Sequence, residues 1–218
     1  MMKKIIFILI AFLMILSCGK KTETDIKEEI KAIVMAYFGD VSINGKALTA
    51  TGAAVKYNDT IETGKKSFCE IIVNDKNILK LGGETKLIFK LSDLESTLEL
   101  SKGWFSGVTK KIYAKERKYN VKTPTAVAAI RGTSFCTKVE SEDSTYFCVC
   151  NGIIELKKAG GETADVVESS HHLARRFKKE KSGAIAVDNK PGMLYHSDKD
   201  VEALAKKIEV VIDWKKVD

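Results

Sequence analysis

Five cysteines and three histidines are the side chains of this 218-residue chain best suited to redox, metal or nucleophilic chemistry. Cys18 closes an N-terminal apolar run, leaving Cys69, Cys136, Cys148 and Cys150 beside His171, His172 and His196. Four cysteines in an exported protein allow three disulfide pairings. Cys148 and Cys150 stand two apart in a β-forming run, so they share a face and are poor partners for each other. Cys69 and Cys136 are then the candidate partners, and four small buried thiols are the alternative. A zinc reading built on Cys148-x-Cys150 with His171-His172 lacks the usual spacing of two to four residues between paired cysteines. No metal and no cofactor is therefore expected. A Cys–His nucleophile is conceivable, but the cysteines lie in strand patterns, and no nucleophile elbow, phosphate loop or metal-ligand helix is present. Glu142-Asp143 sits in an apparent hairpin turn and reads as a solubilising pair. The chain is read as a non-enzyme.

The compartment follows from the leader. Lys3 and Lys4 precede an apolar run from Ile5 to Leu16, and Ser17-Cys18-Gly19-Lys20 follows. This is the pattern of an export signal, and the run is too short to span a hydrocarbon core that needs about 20 apolar residues. Ile15-Leu16-Ser17-Cys18 resembles the lipobox of bacterial lipoproteins, at which the leader is cut and the cysteine acylated. Each buried methylene adds about 0.8 kcal/mol, so acyl chains on Cys18 would hold the protein on the exported side of a bacterial membrane. The leader covers residues 1–17, and a polar tether covers 18–31. The whole chain has a net charge of +7; without Lys3 and Lys4 it carries 34 basic and 29 acidic residues, or +5. So mild a bias, with few aromatics interleaved, excludes a nucleic-acid surface.

The elements that must carry these residues read as strands. Strand is expected from about Ile33, with Asn44-Gly45 closing a two-residue hairpin. From Lys46 to Lys158 turn signals recur, at Lys102-Gly103 and Asn151-Gly152 among others. Between them lie β-forming runs such as Phe68 to Val73, Asn77 to Leu81, Lys86 to Leu91, Thr97 to Leu100, Trp104 to Val108, Ser134 to Val139 and Thr145 to Val149. The expectation is an all-β fold, a β-sandwich or short β-solenoid over residues 32–177, followed by a tail over 178–218. Arg175 to Lys181 reads as a solvated basic loop. Ser197 and Asp200 begin a short C-terminal helix whose stripe of Val201, Leu204, Ala205 and Ile208 packs on the β-domain.

Val121 to Phe135, VKTPTAVAAIRGTSF, is the most specific segment. Thr123-Pro124-Thr125 suits an edge strand or the entry to one, because Pro124 has no amide donor. Arg131-Gly132-Thr133 reads as a sharp bend in which the Arg131 guanidinium ties turn carbonyls. Together with Gly39-Asp40-Val41-Ser42-Ile43, the run from Asn58 to Ser67, the run from Asn74 to Gly82 and Leu100 to Phe105, this segment resembles the FecR domain family over roughly Ile33 to Phe177. Asn58 stands where that family has Gly, and the Gly-Ser of its next element is missing. The resemblance implies an exported β-domain with a sensing or binding role. Members known as iron-transport regulators also carry a cytoplasmic segment that controls a sigma factor. Here only the residues before Ile5 would face the cytoplasm, so direct sigma-factor contact is not expected. Another envelope protein or a glycan is the expected partner class, with a structural subunit of an envelope complex as the alternative. The sequence specifies neither the ligand nor an oligomeric state.

Overall fold

The computed structural model describes residues 30–91, 96–110, 119–161 and 164–217. The leader, Cys18 and the tether up to residue 29 lie outside the described residues. Fifteen strands and one helix are present among the described residues. In chain order they are β1 (Ala32–Phe38), β2 (Val41–Ile43), β3 (Lys46–Ala47), β4 (Ala54–Val55), β5 (Asp59–Thr63), β6 (Phe68–Val73), β7 (Asn77–Leu81) and β8 (Lys86–Leu91). They continue as β9 (Ser96–Thr109), β10 (Tyr119–Lys122), β11 (Ala126–Ser141), β12 (Ser144–Lys158), β13 (Ala164–Ser169), β14 (Leu173–Lys179), β15 (Ile185–Asp188) and α1 (Asp198–Lys206).

All fifteen strands join one hydrogen-bonded sheet, which runs β15-β14-β12-β11-β10-β9-β7-β6-β1-β4 with a side branch through β8, β5, β2 and β3. The long strands change partners partway along. The first half of β9 pairs with β8, and its second half pairs with β7 and β11. Strand β12 pairs with β14 over Ser144 to Val149 and with β13 from Gly152 onward. These exchanges fold the sheet over itself around one large core that includes Ile61, Ile71, Leu87, Phe89, Ala128, Phe135 and Phe147. Phe105 and Phe135 meet edge-to-face in it, with centroids 5.5 Å apart, the arrangement their ring quadrupoles favour.

Three glycine signals that read as turns lie inside long strands. Lys102-Gly103 bends β9, Arg131-Gly132 bends β11 and Asn151-Gly152 bends β12. The pairing of β11 with β12 slips between Arg131 and Phe135, which marks a β-bulge. An extra residue reverses which alternate side chains point inward. Before the slip Ala126, Ala128 and Ile130 face the large core; after it Phe135 and Val139 do. On β12 the large core receives Phe147 and Val149 on one side of the bend and Ile154 and Leu156 on the other. Asn44-Gly45, by contrast, forms the expected hairpin turn between β2 and β3, both residues in the left-handed region.

The opposite face of β12 is covered by the C-terminal segment. Ser197 caps α1 with a capping box through Asp200, satisfying amide donors that the first turn leaves free. Val201, Leu204, Ala205 and Ile208 form the buried stripe and join Ile78, Val108, Cys136, Tyr146, Cys148 and Cys150 in a second core. The sheet continues past Phe177 through β14 and β15. The basic run at Arg175 and Arg176 is therefore strand and not loop. Arg176 makes a bidentate pair with Glu140 at 2.8 and 2.9 Å, and Arg175 meets Asp165 at 3.3 Å.

Candidate functional site

Parity on β12 determines which side chains form the site. Before its bend, odd residues enter the large core and even residues Tyr146, Cys148 and Cys150 enter the second core. Cys136 lies directly across from Cys148 on β11. His172 comes from the turn between β13 and β14, where its backbone is left-handed (φ 51°) and its amide donates to the Cys150 carbonyl at 3.0 Å. His196 and Asp198 arrive from the entry to α1. The Tyr146 hydroxyl fixes that entry, donating to Gly192 O and accepting from the Leu194 amide, each at 3.0 Å. Asn151, 1% exposed, faces the tail carbonyls of Asp213 and Lys216 and the Ser170 carbonyl through its amide group.

Four donor atoms converge where these elements meet. Cys148 Sγ lies 3.6 Å from His172 Nδ1, Cys150 Sγ 3.2 Å from His196 Nε2, and His196 Nε2 3.2 Å from His172 Nδ1. All four lie within 4.8 Å of one another. The far nitrogens are engaged as well. His172 Nε2 is 2.8 Å from Asp198 Oδ1, and His196 Nδ1 is 2.7 Å from the Leu194 carbonyl. A carbonyl only accepts, and an ionised carboxylate only accepts, so those nitrogens carry the hydrogens. His171 holds the other carboxylate oxygen of Asp198 at 3.1 Å. Trp214 stacks over His172 with centroids 5.1 Å apart, and its indole donates to Glu202 at 2.7 Å.

The electrostatics follow from this packing. The hydrogen bond from Cys150 holds the Cys148 thiol far below its ordinary value, at about 3, against the opposing effect of burial and with help from His172 and His196. Burial and the same sulfur contact keep the Cys150 thiol well above the usual range. Burial works to lower His196, but the sulfurs of Cys136 and Cys148 outweigh it and push the imidazole up to about 10. Burial likewise opposes ionisation of Asp198, yet hydrogen bonds from His171 and His172 hold its carboxyl below the usual carboxylate range. An anionic sulfur and cationic imidazole thus balance each other in an otherwise apolar core.

Cys148, His172 and Asp198 have the order of a nucleophile, base and orienting carboxylate. Attack on a substrate needs an approach to the sulfur, however, and Cys148 and Cys150 are both 0% exposed beneath the tail. A second thiol and a second imidazole aimed at the same point suit a cation better than a carbonyl.

The sequence left both disulfides and four buried thiols open for the cysteines. Cys69, Cys136, Cys148 and Cys150 are all free thiols. Cys69 belongs to the large core while the other three line the second, so Cys69 is on the wrong face of the sheet to pair with them. Cys136 and Cys148 are cross-strand neighbours, but the sulfurs of Cys148 and Cys150 are engaged with imidazoles. The spacing argument against Cys148-x-Cys150 as ligands applies to turns. On an extended strand, one intervening residue places both sulfurs on one face. The paired histidines are His172 and His196, whereas His171 supports the carboxylate.

The motif residues Thr123, Pro124, Thr125, Arg131, Gly132 and Thr133 lie apart from this cluster. Thr123-Pro124-Thr125 is the tight connection between β10 and β11, closed by Thr123 Oγ1 donating to Ala126 O at 2.8 Å. Thr125 is buried and bonded to Thr145 Oγ1 at 2.8 Å. Arg131 is exposed and does not fold into a turn. The bulge is held instead by Thr133, whose amide donates to Thr109 Oγ1 at 2.8 Å and whose hydroxyl donates to Ile153 O at 2.9 Å. Asp198 and Asn151 escaped the sequence reading as site residues, and His196, though counted among the three histidines, was not placed with the cysteines. The one available signal was His196 standing immediately before a capping box.

Two crystal structures of a candidate anti-sigma factor from Parabacteroides distasonis ATCC 8503, at 1.65 and 2.50 Å resolution, are similar to the chain. Each is 14% identical with a TM-score of 0.48, over 60% of this chain and 59% of the other. The chain therefore matches less than two thirds of the length of those proteins. No curated protein matches it. The segment from β5 to the second half of β12, including the hairpin at Pro124 and the bulge at Gly132, is assigned by its sequence: residues 59–155 match the family described as FecR protein, the family that Val121 to Phe135 resembles.

Proposed function

We propose that this chain is a non-enzymatic, lipid-anchored sensing or binding module of the cell envelope, held through Cys18 on the exported side of a bacterial membrane. The observation that carries the reading is the FecR match over residues 59–155, downstream of a leader that ends in Leu16-Ser17-Cys18. The sheet supports it as a rigid platform, since its long strands are paired on both sides over most of their length. The Cys148–His172–Asp198 array is closed to substrate. An envelope protein or a glycan is the partner class that fits a platform so placed.

Two measurements test this reading. Cys18→Ser should abolish labelling by a fatty-acid probe and release the protein from the membrane fraction; unchanged membrane retention would refute the anchor. Crosslinking of the tagged protein in intact cells should recover a specific envelope neighbour. Recovery of none would refute the binding role, and stoichiometric, salt-resistant recovery within one membrane complex would replace it with a structural subunit.

A further inference from the structure

We infer that Cys148, Cys150, His172 and His196 form a closed tetrahedral Zn2+ site that fastens the C-terminal segment to the sheet. The geometry of the donors carries this. Zinc bonds of about 2.3 Å to sulfur and about 2.05 Å to nitrogen give tetrahedron edges of about 3.4 Å between nitrogens and about 3.6 Å between sulfur and nitrogen. The three measured edges are 3.2 Å for the nitrogen pair and 3.6 and 3.2 Å for the two sulfur–nitrogen pairs. The other three edges lie within 4.8 Å, so a single ion can reach all four atoms with side-chain adjustments of about 1 Å or less.

The surroundings prepare the ligands. Asp198 binds the far nitrogen of His172, and the Leu194 carbonyl binds the far nitrogen of His196. Each contact fixes the far nitrogen as the N–H, so the opposite nitrogen of the neutral ring is the one directed at the cluster, the arrangement in which a carboxylate or carbonyl fixes the tautomer of a metal-binding imidazole. In the loaded site both sulfurs are thiolates and offset the two charges of the ion, so the site is neutral. That suits a pocket walled by Ile78, Val108, Ala174 and the α1 stripe. Two sulfurs and two nitrogens in a tetrahedron select zinc among the common cations. Four protein ligands without an open position make the site structural and not catalytic.

The ligands come from separate parts of the chain. Cys150 and His196 are 46 residues apart, and His196 leads directly into α1. Occupancy of the site therefore ties residues 189–217 to β12. The site is independent of lipidation and of any envelope partner, so its failure is distinct from failure of the proposed function.

The test uses the purified full chain under reducing conditions. It should retain about one zinc ion per chain through dialysis. Cobalt in place of zinc should give the visible bands of a tetrahedral centre together with a thiolate charge-transfer band. Cys150→Ser and His196→Ala should each lose stoichiometric metal, while His171→Ala should keep it. Asp198→Asn leaves every ligand in place and should weaken binding about 10- to 100-fold, which keeps the test open should the ligand variants fail to fold. Limited proteolysis should cut the tail faster after chelation. A folded wild-type chain that takes up no zinc overturns the inference, as does one that takes only monovalent copper. Equal loss of metal in His171→Ala and His196→Ala overturns it too, and so does a Cys136–Cys148 disulfide in the protein isolated from cells.

Discussion

Gly152→Ala should be more damaging than the same change at Gly45, although both glycines are left-handed. Gly152 has φ +123° at the bend of β12, and a Cβ there would stand 2.8 Å from Thr133 Oγ1, 2.9 Å from Thr133 Cγ2 and 3.0 Å from the Gly132 carbonyl. Gly45 has φ +75° in the β2–β3 hairpin, with nothing within 4 Å of the added atom. Backbone strain alone costs about 1–3 kcal/mol at either position. At Gly152 the methyl also presses on a threonine whose hydroxyl bonds to Ile153 O and Arg131 O. Thr133 cannot rotate away without giving up its half-buried hydrogen bond to Ile153 O, at about 0.5–1.5 kcal/mol. The sum is about 1.5–4.5 kcal/mol at Gly152 against about 1–3 at Gly45. Urea unfolding of both variants, followed by tryptophan fluorescence and by circular dichroism, measures the difference. Equal midpoints would refute the reasoning, because the bulge would then be free to relax and could not fix the parity of β11 and β12.

Two further outcomes follow from the packing of the tail and of β14. Asn151→Ala removes the amide that faces the Ser170, Asp213 and Lys216 carbonyls; loss of two hydrogen bonds should cost about 1–3 kcal/mol. Hydrogen exchange should then quicken in residues 197–217 and not in β6 and β7, and uniform acceleration through the sheet would count against a separately anchored tail. Glu140 is held below its ordinary carboxylate range because hydrogen bonds from Arg176, Ser144 and Tyr195 outweigh the opposing effect of its burial. A depressed carboxylate contributes stability above its unfolded value near pH 4.5 and loses it as the pH falls through the folded value. Glu140→Gln should therefore be less stable than wild type at pH 7, by about 1–2 kcal/mol, with the gap closing on acidification below pH 4.5. A gap that stays constant from neutral to acid pH would show that the loss was steric.

Local strand grammar carried much of the fold. The runs Phe68 to Val73, Asn77 to Leu81 and Lys86 to Leu91 coincide with β6, β7 and β8, since each is a β-forming run between turn residues. The capping box and apolar stripe of α1 were equally local. The long strands were not legible, because glycine has two uses in a β protein. In a turn it ends a strand, and in a bulge it lets one strand continue with its faces exchanged. Gly103, Gly132 and Gly152 are of the second kind, and nothing beside them in sequence separates them from Gly45. The difference lies across the sheet, where Thr85 crowds Gly103 and Thr133 crowds Gly152. Partner exchange along β9 and β12 depends on contacts of the same long-range kind.

The site was half visible for the same reason. Cys148-x-Cys150 announces two thiols on one face as soon as the strand is recognised, and this follows from the period of two alone. Its meaning depended on what the fold brings to that face. Disulfide, metal and buried thiol make the same local demand on the sequence and differ only in the third and fourth groups. Of the adjacent histidines, the left-handed backbone at His172 turns that ring toward the sulfurs, while His171 reaches the outer oxygen of Asp198. His196 enters only because Tyr146, two residues before Cys148 on the same face, binds the backbone at Gly192 and Leu194. A tyrosine at the right parity thus delivers the fourth donor, which stands 46 residues from Cys150. Tyr146→Phe keeps the ring and removes that delivery, so it should loosen His196 without touching any of the four donor atoms.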